Sequence, residues 1–174
     1  RLMRSGAKIG ETIYVTGPLG DSAGGLQAIL KGISRTEEVN TLILRHKRPV
    51  PRIDAGRILM ETGKVGAMMD ISDGIASDLR HILNASGIGA VIDLDKLPCS
   101  PELFAVCEEQ GWDRFELATS GGEDFELLFT GPEGLKSELG IEVYPIGRTV
   151  PGNDIIWTIG GKSVDFDFEG YKHF

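Results

Sequence analysis

Residues 65–74 dictate a strand that must stop and turn into a helix. Apolar residues run from Val65 to Met69. Asp70-Ile71-Ser72-Asp73-Gly74 then sets two carboxylates three apart around a hydroxyl, and a helix-like segment begins at Ile75. A strand ending in this way carries two anionic groups to the edge of a sheet, beside a helix N-terminus. Hard divalent cations take oxygen ligands, and Mg²⁺ is usually held by one or two carboxylates together with phosphate and water. The amides of a first helical turn suit a phosphate. The same residues also fit a plain cap, since Ser or Asp ahead of a helix satisfies its orphan amides.

The 174 residues suffice for one well-cored domain. Of these, 41% are hydrophobic and 25% charged, and no apolar run approaches the roughly 20 residues of a membrane span. The net charge of −8 argues against nucleic acid as a partner. It also sets a repulsive field against polyphosphate unless cations bridge the two, which makes an acidic metal motif more coherent with nucleotide chemistry. Cys99 and Cys107 match no zinc or redox spacing, so a reduced, cytoplasmic chain is expected. No signal-peptide pattern is visible, and the opening Arg1 suggests a fragment or a trimmed product.

Periodicity and breakers predict strands at 12–16, 65–70, 90–93, 125–130 and 142–146, and a hairpin of 154–159 and 163–168 about Gly160-Gly161. Helices are expected at 21–32, with Asp21-Ser22 as cap and Ala23, Leu26, Ile29 and Leu30 on one face. Further helices are expected at 37–47, 53–62, 75–84, 101–110, 115–119 and 132–139. Strands and helices interleave early and strands cluster late, which reads as α+β: one mixed sheet with helices packed mainly on one face.

Other patches offer chemistry. Ser120-Gly121-Gly122-Glu123-Asp124-Phe125 puts two acids between a glycine pair and an apolar strand. The glycines permit positive φ and close approach of a ligand; a tight turn with solvated acids fits equally. Arg45-His46-Lys47-Arg48 with Arg52 is the one basic cluster, open to phosphate or simply a charged helix end. Nothing ranks Lys47, Arg48 and Arg52 as phosphate contacts. Arg4 lies in a short basic start, Tyr171 and Phe174 close the chain, and His81 reads as structural.

Read in order, Gly10-Glu11-Thr12-Ile13-Tyr14-Val15-Thr16-Gly17, Gly20-Asp21-Ser22-Ala23-Gly24-Gly25-Leu26, Asp70-Ile71-Ser72-Asp73-Gly74, Ser86-Gly87-Ile88-Gly89-Ala90, Ser120-Gly121-Gly122-Glu123-Asp124-Phe125-Glu126-Leu127 and Gly170-Tyr171-Lys172-His173-Phe174 resemble the thiamine-monophosphate kinase family. That family sits within the AIR synthase-related superfamily. The resemblance runs over essentially the whole chain but covers only the second part of that enzyme. Lys172 departs from it, standing where family members commonly carry an acid.

The resemblance implies an AIR synthase C-terminal-domain-like fold, and phosphoryl transfer from ATP to thiamine monophosphate with Mg²⁺ as cofactor. It makes Asp70 and Asp73 metal ligands, Ser72 and Arg4 ATP contacts, and Glu123 and Tyr171 substrate contacts. It also implies that residues 1–174 are a single C-terminal domain. The N-terminal domain, with the remaining metal-binding acids, most of the nucleotide pocket and the homodimer interface, would lie outside this chain. No general base is nominated, because a phosphate monoester with a second pKa near 6 is already ionised at neutral pH. The alternatives are another ATP-dependent enzyme of the superfamily, or a non-catalytic binding module of the same fold.

Overall fold

The computed structural model describes residues 3–166. The strands are β1 (Thr12–Val15), β2 (Met68–Asp70), β3 (Gly89–Asp93), β4 (Leu127–Gly131), β5 (Tyr144–Val150), β6 (Ile155–Ile159) and β7 (Lys162–Val164). They form one sheet in the order β2-β4-β1-β5-β3-β6-β7. Every neighbouring pair is antiparallel except β3 with β6, so the sheet is mixed, as the sequence predicts. The helices are α1 (Asp21–Lys31), α2 (Glu37–Lys47), α3 (Ile53–Glu61), α4 (Ile75–Ser86), α5 (Pro101–Gln110) and α6 (Arg114–Ser120).

Strand alternation divides the interior into layers. On one face, Ile13, Val15, Met69, Leu128 and Ile92 pack against Ile75, Leu79 and Ile82 of α4 in the main core. On the other, Tyr14, Met68 and Phe129 meet Leu59 of α3 and Leu135 in a smaller cluster. There the rings of Tyr14 and Phe129 stack with centroids 5.0 Å apart. A third cluster lies wholly among helices, joining α1, α2, α5 and α6 through Ala28, Leu42, Leu103 and Leu117.

Several local expectations give way to tertiary structure. Residues 132–139 do not form a full helix. Gly134 takes the left-handed conformation at φ 82° and only a 3₁₀ turn, Leu135–Glu138, follows. The strand expected from Phe125 begins at Leu127, because Phe125 itself has φ 54° and breaks the extended run. In the closing hairpin the second strand is Lys162–Val164, and the rest of the predicted stretch reaches past the described residues. Asp21 and Ser22 do not cap α1; Gly20 does, at φ 96°, and both polar residues lie inside the first turn.

The most consequential change concerns the face of α1. Its buried side is the small one, Gly24, Gly25 and Ala28, which lets α1 lie close on α2. Of the expected stripe of Ala23, Leu26, Ile29 and Leu30, Ala23 and Ile29 pack against the third cluster, whereas Leu26 and Leu30 line a surface cavity, with Leu30 at 75% exposure.

Candidate functional site

One end of the sheet gathers the C-termini of β1 and β2, the N-terminus of β4, and the first turns of α1 and α4. Asp70 pairs with Leu127 where β2 meets β4. The pairing continues past both strands through backbone bonds: Ile71 N–H donates to Glu126 O at 2.8 Å, Phe125 N–H to Ile71 O at 3.2 Å, and Glu123 N–H to Ser72 O at 2.9 Å. The Asp70–Gly74 loop and the Gly121–Glu126 loop are therefore zipped together.

Glycine makes that approach feasible. A Cβ on Gly122 would lie 2.4 Å from Ser72 O, and one on Gly74, at φ 113°, would lie 2.8 Å from Thr119 O. The sequence reads Gly121-Gly122 as room for a ligand, whereas much of that room is taken by the protein's own backbone, Leu117 O beside Gly121 and Ser72 O beside Gly122. Glu123 and Phe125 both sit at positive φ, 63° and 54°. This is an uncommon conformation for side-chain-bearing residues and is typical of functional loops.

The acids divide by exposure. Asp70, Ser72, Asp73 and Glu123 are exposed. Ser72, Asp73 and Glu123 line a cavity of about 590 Å³, walled on its far side by α1, within the usual size range of small-molecule sites. Asp124 turns inward, accepting from Gly20 N–H at 2.9 Å and Ser22 N–H at 3.4 Å at the start of α1. Burial pushes its carboxyl up to about 8, against the pull of those two amides. Glu126 is buried between Thr16 Oγ1, 2.6 Å away, and the Arg52 guanidinium, which donates to it twice at 2.9 Å.

Asp78, one turn into α4, is the site residue that sequence reasoning missed. Its carboxylate accepts from Ser72 N–H at 2.9 Å and Asp73 N–H at 3.0 Å. Burial pushes its carboxyl above the ordinary value, with the Asp73 and Ser72 amides opposing. The signal available in the sequence was an acid at helical spacing after the capping glycine. His81, read as structural, is exposed, and its ring lies with Asp73 and Asp78 so that one ligand atom from each falls within 4.8 Å of the others. Asp70 is not in that trio. Asp70 and Asp73 both expose hard carboxylate oxygens, but only Asp73 is among the cavity residues; oxygens of this kind are the ligands that Mg²⁺ takes.

The remaining expected contacts stand apart. Arg4 is exposed and is not among the cavity residues, although the adjacent Met3 O accepts from Met68 N–H at 2.8 Å. Tyr171 lies outside the described residues. Within the basic cluster, Arg52 is committed to Glu126, and Arg45 to Asp21 at 2.7 Å and Glu102 at 3.3 Å. Lys47 and Arg48 are exposed at the end of α2.

With this geometry in hand, residues 8–159 match the family model described as AIR synthase related protein, C-terminal domain. The chain belongs to that family. Among its relatives, thiamine-monophosphate kinase of Salmonella typhimurium is 40% identical, covering 99% of this chain and 55% of the relative. The Escherichia coli K12 enzyme of the same name is 41% identical, with coverage of 99% and 55%. The AIR synthase-related domain thus spans about half the length of the curated relatives it matches. AaThiL complexed with AMPPCP and TMP superposes with a TM-score of 0.84 at 38% identity, covering 98% of this chain and 53% of that one. Escherichia coli HypE, at 18% identity and a TM-score of 0.75, shares the fold. No helix among the described residues is long and apolar enough to cross a membrane.

Proposed function

We propose that this chain is the C-terminal half of a thiamine-monophosphate kinase, which transfers a phosphoryl group from ATP to thiamine monophosphate and yields thiamine diphosphate and ADP. The observation that carries this reading is the match over 98% of the chain, at 38% identity, to AaThiL complexed with AMPPCP and TMP. The local chemistry agrees with it. Both substrates are anionic, and the acceptor phosphate is ionised at neutral pH, so no side chain need remove a proton. The task is to bring two anions together in line, which phosphoryl transfer achieves by positioning and by charge stabilisation.

Asp70 and Asp73 would hold Mg²⁺, which when bound neutralises charge on the phosphates of donor and acceptor. Ser72, fixed between them, turns its hydroxyl toward ATP, and Arg4 supplies a cation for the nucleotide phosphates. Glu123, on the loop zipped to that of Asp70 and Asp73, offsets the positive charge of thiamine, and the apolar wall of Ala23, Leu26 and Leu30 across the cavity suits its rings. Tyr171 adds stacking on the same substrate. The other half of the enzyme supplies the remaining metal-binding acids and the homodimer interface. A cytoplasmic location fits the need for ATP and the free thiols of Cys99 and Cys107.

The test is synthesis of thiamine diphosphate by the full-length kinase, assayed with thiamine monophosphate against aminoimidazole precursors and selenide as competing acceptors. Mg²⁺- and ATP-dependent turnover of thiamine monophosphate is expected, and turnover of another acceptor in its place would overturn the reading. Removing the aromatic ring in Tyr171→Ala should raise KM for thiamine monophosphate by about 2- to 30-fold, the worth of one cation–π contact, with KM for ATP nearly unchanged. This chain by itself should fold without turning over.

A further inference from the structure

The turn between β2 and α4 has an unusual anchor. The Ncap position of α4 is Gly74, which offers no side chain to the orphan amides. A helix start is ordinarily capped by a residue just ahead of it. Here the carboxylate comes from inside the helix and reaches backward: Asp78 Oδ2 receives both the Ser72 and the Asp73 N–H. Asp78 is 1% exposed and sits in α4 beside Leu79 and Ile82, both fully buried in the main core. The anchor is thus tied to the main core, while the two residues it holds are exposed at the cavity.

The second hold on the turn is the backbone bond from Glu123 N–H to Ser72 O. With its N–H donating to Asp78 and its carbonyl accepting from Glu123, Ser72 is gripped through the peptide groups on both its sides. Asp73 has its N–H drawn inward to the same Asp78 oxygen. An ionised acceptor roughly doubles the strength of such bonds over a neutral one.

We propose that Asp78 is a positioning residue: it orients the Ser72–Asp73 backbone so that both side chains are presented to the nucleotide and its metal, and it is not itself a ligand. Its significance for activity rests on the kinase reading above. The rival role is ligation together with Asp73 and His81, whose donor atoms gather within 4.8 Å. Against that role, Asp78 is 1% exposed and its Oδ2 already accepts from two amides, whereas Asp73 and His81 are exposed at the surface.

The two roles separate on Asp78→Asn, Asp78→Ala and His81→Ala, made in the full-length kinase. Two readouts are needed: amide hydrogen exchange of residues 71–74, and the Mg²⁺ concentration giving half-maximal activity. Asp78→Ala should speed exchange of this turn by about tenfold or more, the worth of a bond to a charged acceptor, while exchange in β3 and β5 stays unchanged. The Mg²⁺ requirement should rise by a similar factor. Asp78→Asn keeps an oxygen where Oδ2 lies and should restore both readouts to within about threefold, since a neutral acceptor forfeits only part of the bond. His81→Ala should change neither.

The proposal is overturned if Asp78→Ala leaves exchange of the turn unchanged. It is also overturned if Asp78→Asn keeps slow exchange yet needs as much extra Mg²⁺ as Asp78→Ala, or if His81→Ala raises the requirement. Exchange is measured without turnover, so it judges Asp78 even where thiamine monophosphate proves not to be the substrate.

Discussion

The two acidic loops at the end of the sheet look alike in sequence and are built in opposite senses. In the Asp70–Gly74 loop both carboxylates are exposed and the structural support comes from elsewhere, from Asp78 in the following helix. In the Gly121–Glu126 loop only Glu123 is exposed. Asp124 and Glu126 turn inward, one bonding the start of α1 and the other bridging Thr16 and Arg52. One loop thus presents its acids outward and borrows its anchor, whereas the other contains its own anchors and presents a single acid. Three carboxylates in this region (Asp78, Asp124 and Glu126) serve the backbone and the fold. A count of acids in the sequence therefore overstates the negative charge that faces a ligand.

This contrast breaks first on the outward acids. Asp70→Asn or Asp73→Asn in the full-length kinase should lower kcat by roughly 30- to 1,000-fold, equivalent to about 2–4 kcal/mol of lost electrostatic stabilisation. The melting temperature should hardly move. Near-normal kcat at saturating Mg²⁺ would instead assign that carboxylate to capping.

The inward acids should behave in the reverse manner. Glu126→Ala removes the acceptor of three hydrogen bonds, although Arg52 is 43% exposed and can return to water. A loss of about 2 kcal/mol in denaturant unfolding is expected, with KM for both substrates changing together if at all. A large, selective change in one KM with unchanged stability would move Glu126 into the binding surface.

A smaller effect belongs to Glu123, the one exposed acid of its loop. Glu123→Gln should raise KM for thiamine monophosphate about two- to fivefold, the range of a single partly solvated charge pair, leaving KM for ATP in place. Steady-state kinetics with each substrate varied in turn separates this outcome from a general loss of folding.

Asp124 predicts a slope rather than a step. Burial raises its folded pKa to about 8, above the ordinary carboxylate value of about 4, so the folded state binds the proton more tightly than the unfolded one. Its contribution to stability is complete below about pH 4 and is lost as pH rises toward 8. The stability gap between the wild-type chain and Asp124→Asn, which does not titrate, should therefore narrow between pH 5 and pH 8 when followed by urea unfolding. A gap that widened over that range would show Asp124 to be held as a stabilised anion.

Much of this architecture is legible residue by residue. The bounds of α2 and α5 follow from Thr36 and Ser100, each accepting a backbone amide in the first turn, and from breakers at their ends. The β6–β7 hairpin follows from Gly160-Gly161, both at positive φ. Misreadings cluster where long-range contact overrides local preference. Half of the stripe on α1, Leu26 and Leu30, lines the cavity, and α2 takes the smaller Gly24-Gly25-Ala28 face, where a Cβ on Gly25 would lie 2.3 Å from Leu42 O.

The sequence by itself determined the kinds of elements, the strand-to-helix turn at Asp70–Gly74 and the presence of acids and glycines at both loops. Periodicity and turn chemistry act over a few residues and need no partner from elsewhere. Only the tertiary structure decided which acids face outward. That choice depends on Gly122 meeting Ser72, Asp124 meeting the amides of α1, and Glu126 meeting Arg52. These partners are far apart in the chain, and a buried carboxylate is tolerable only where such donors arrive to satisfy it.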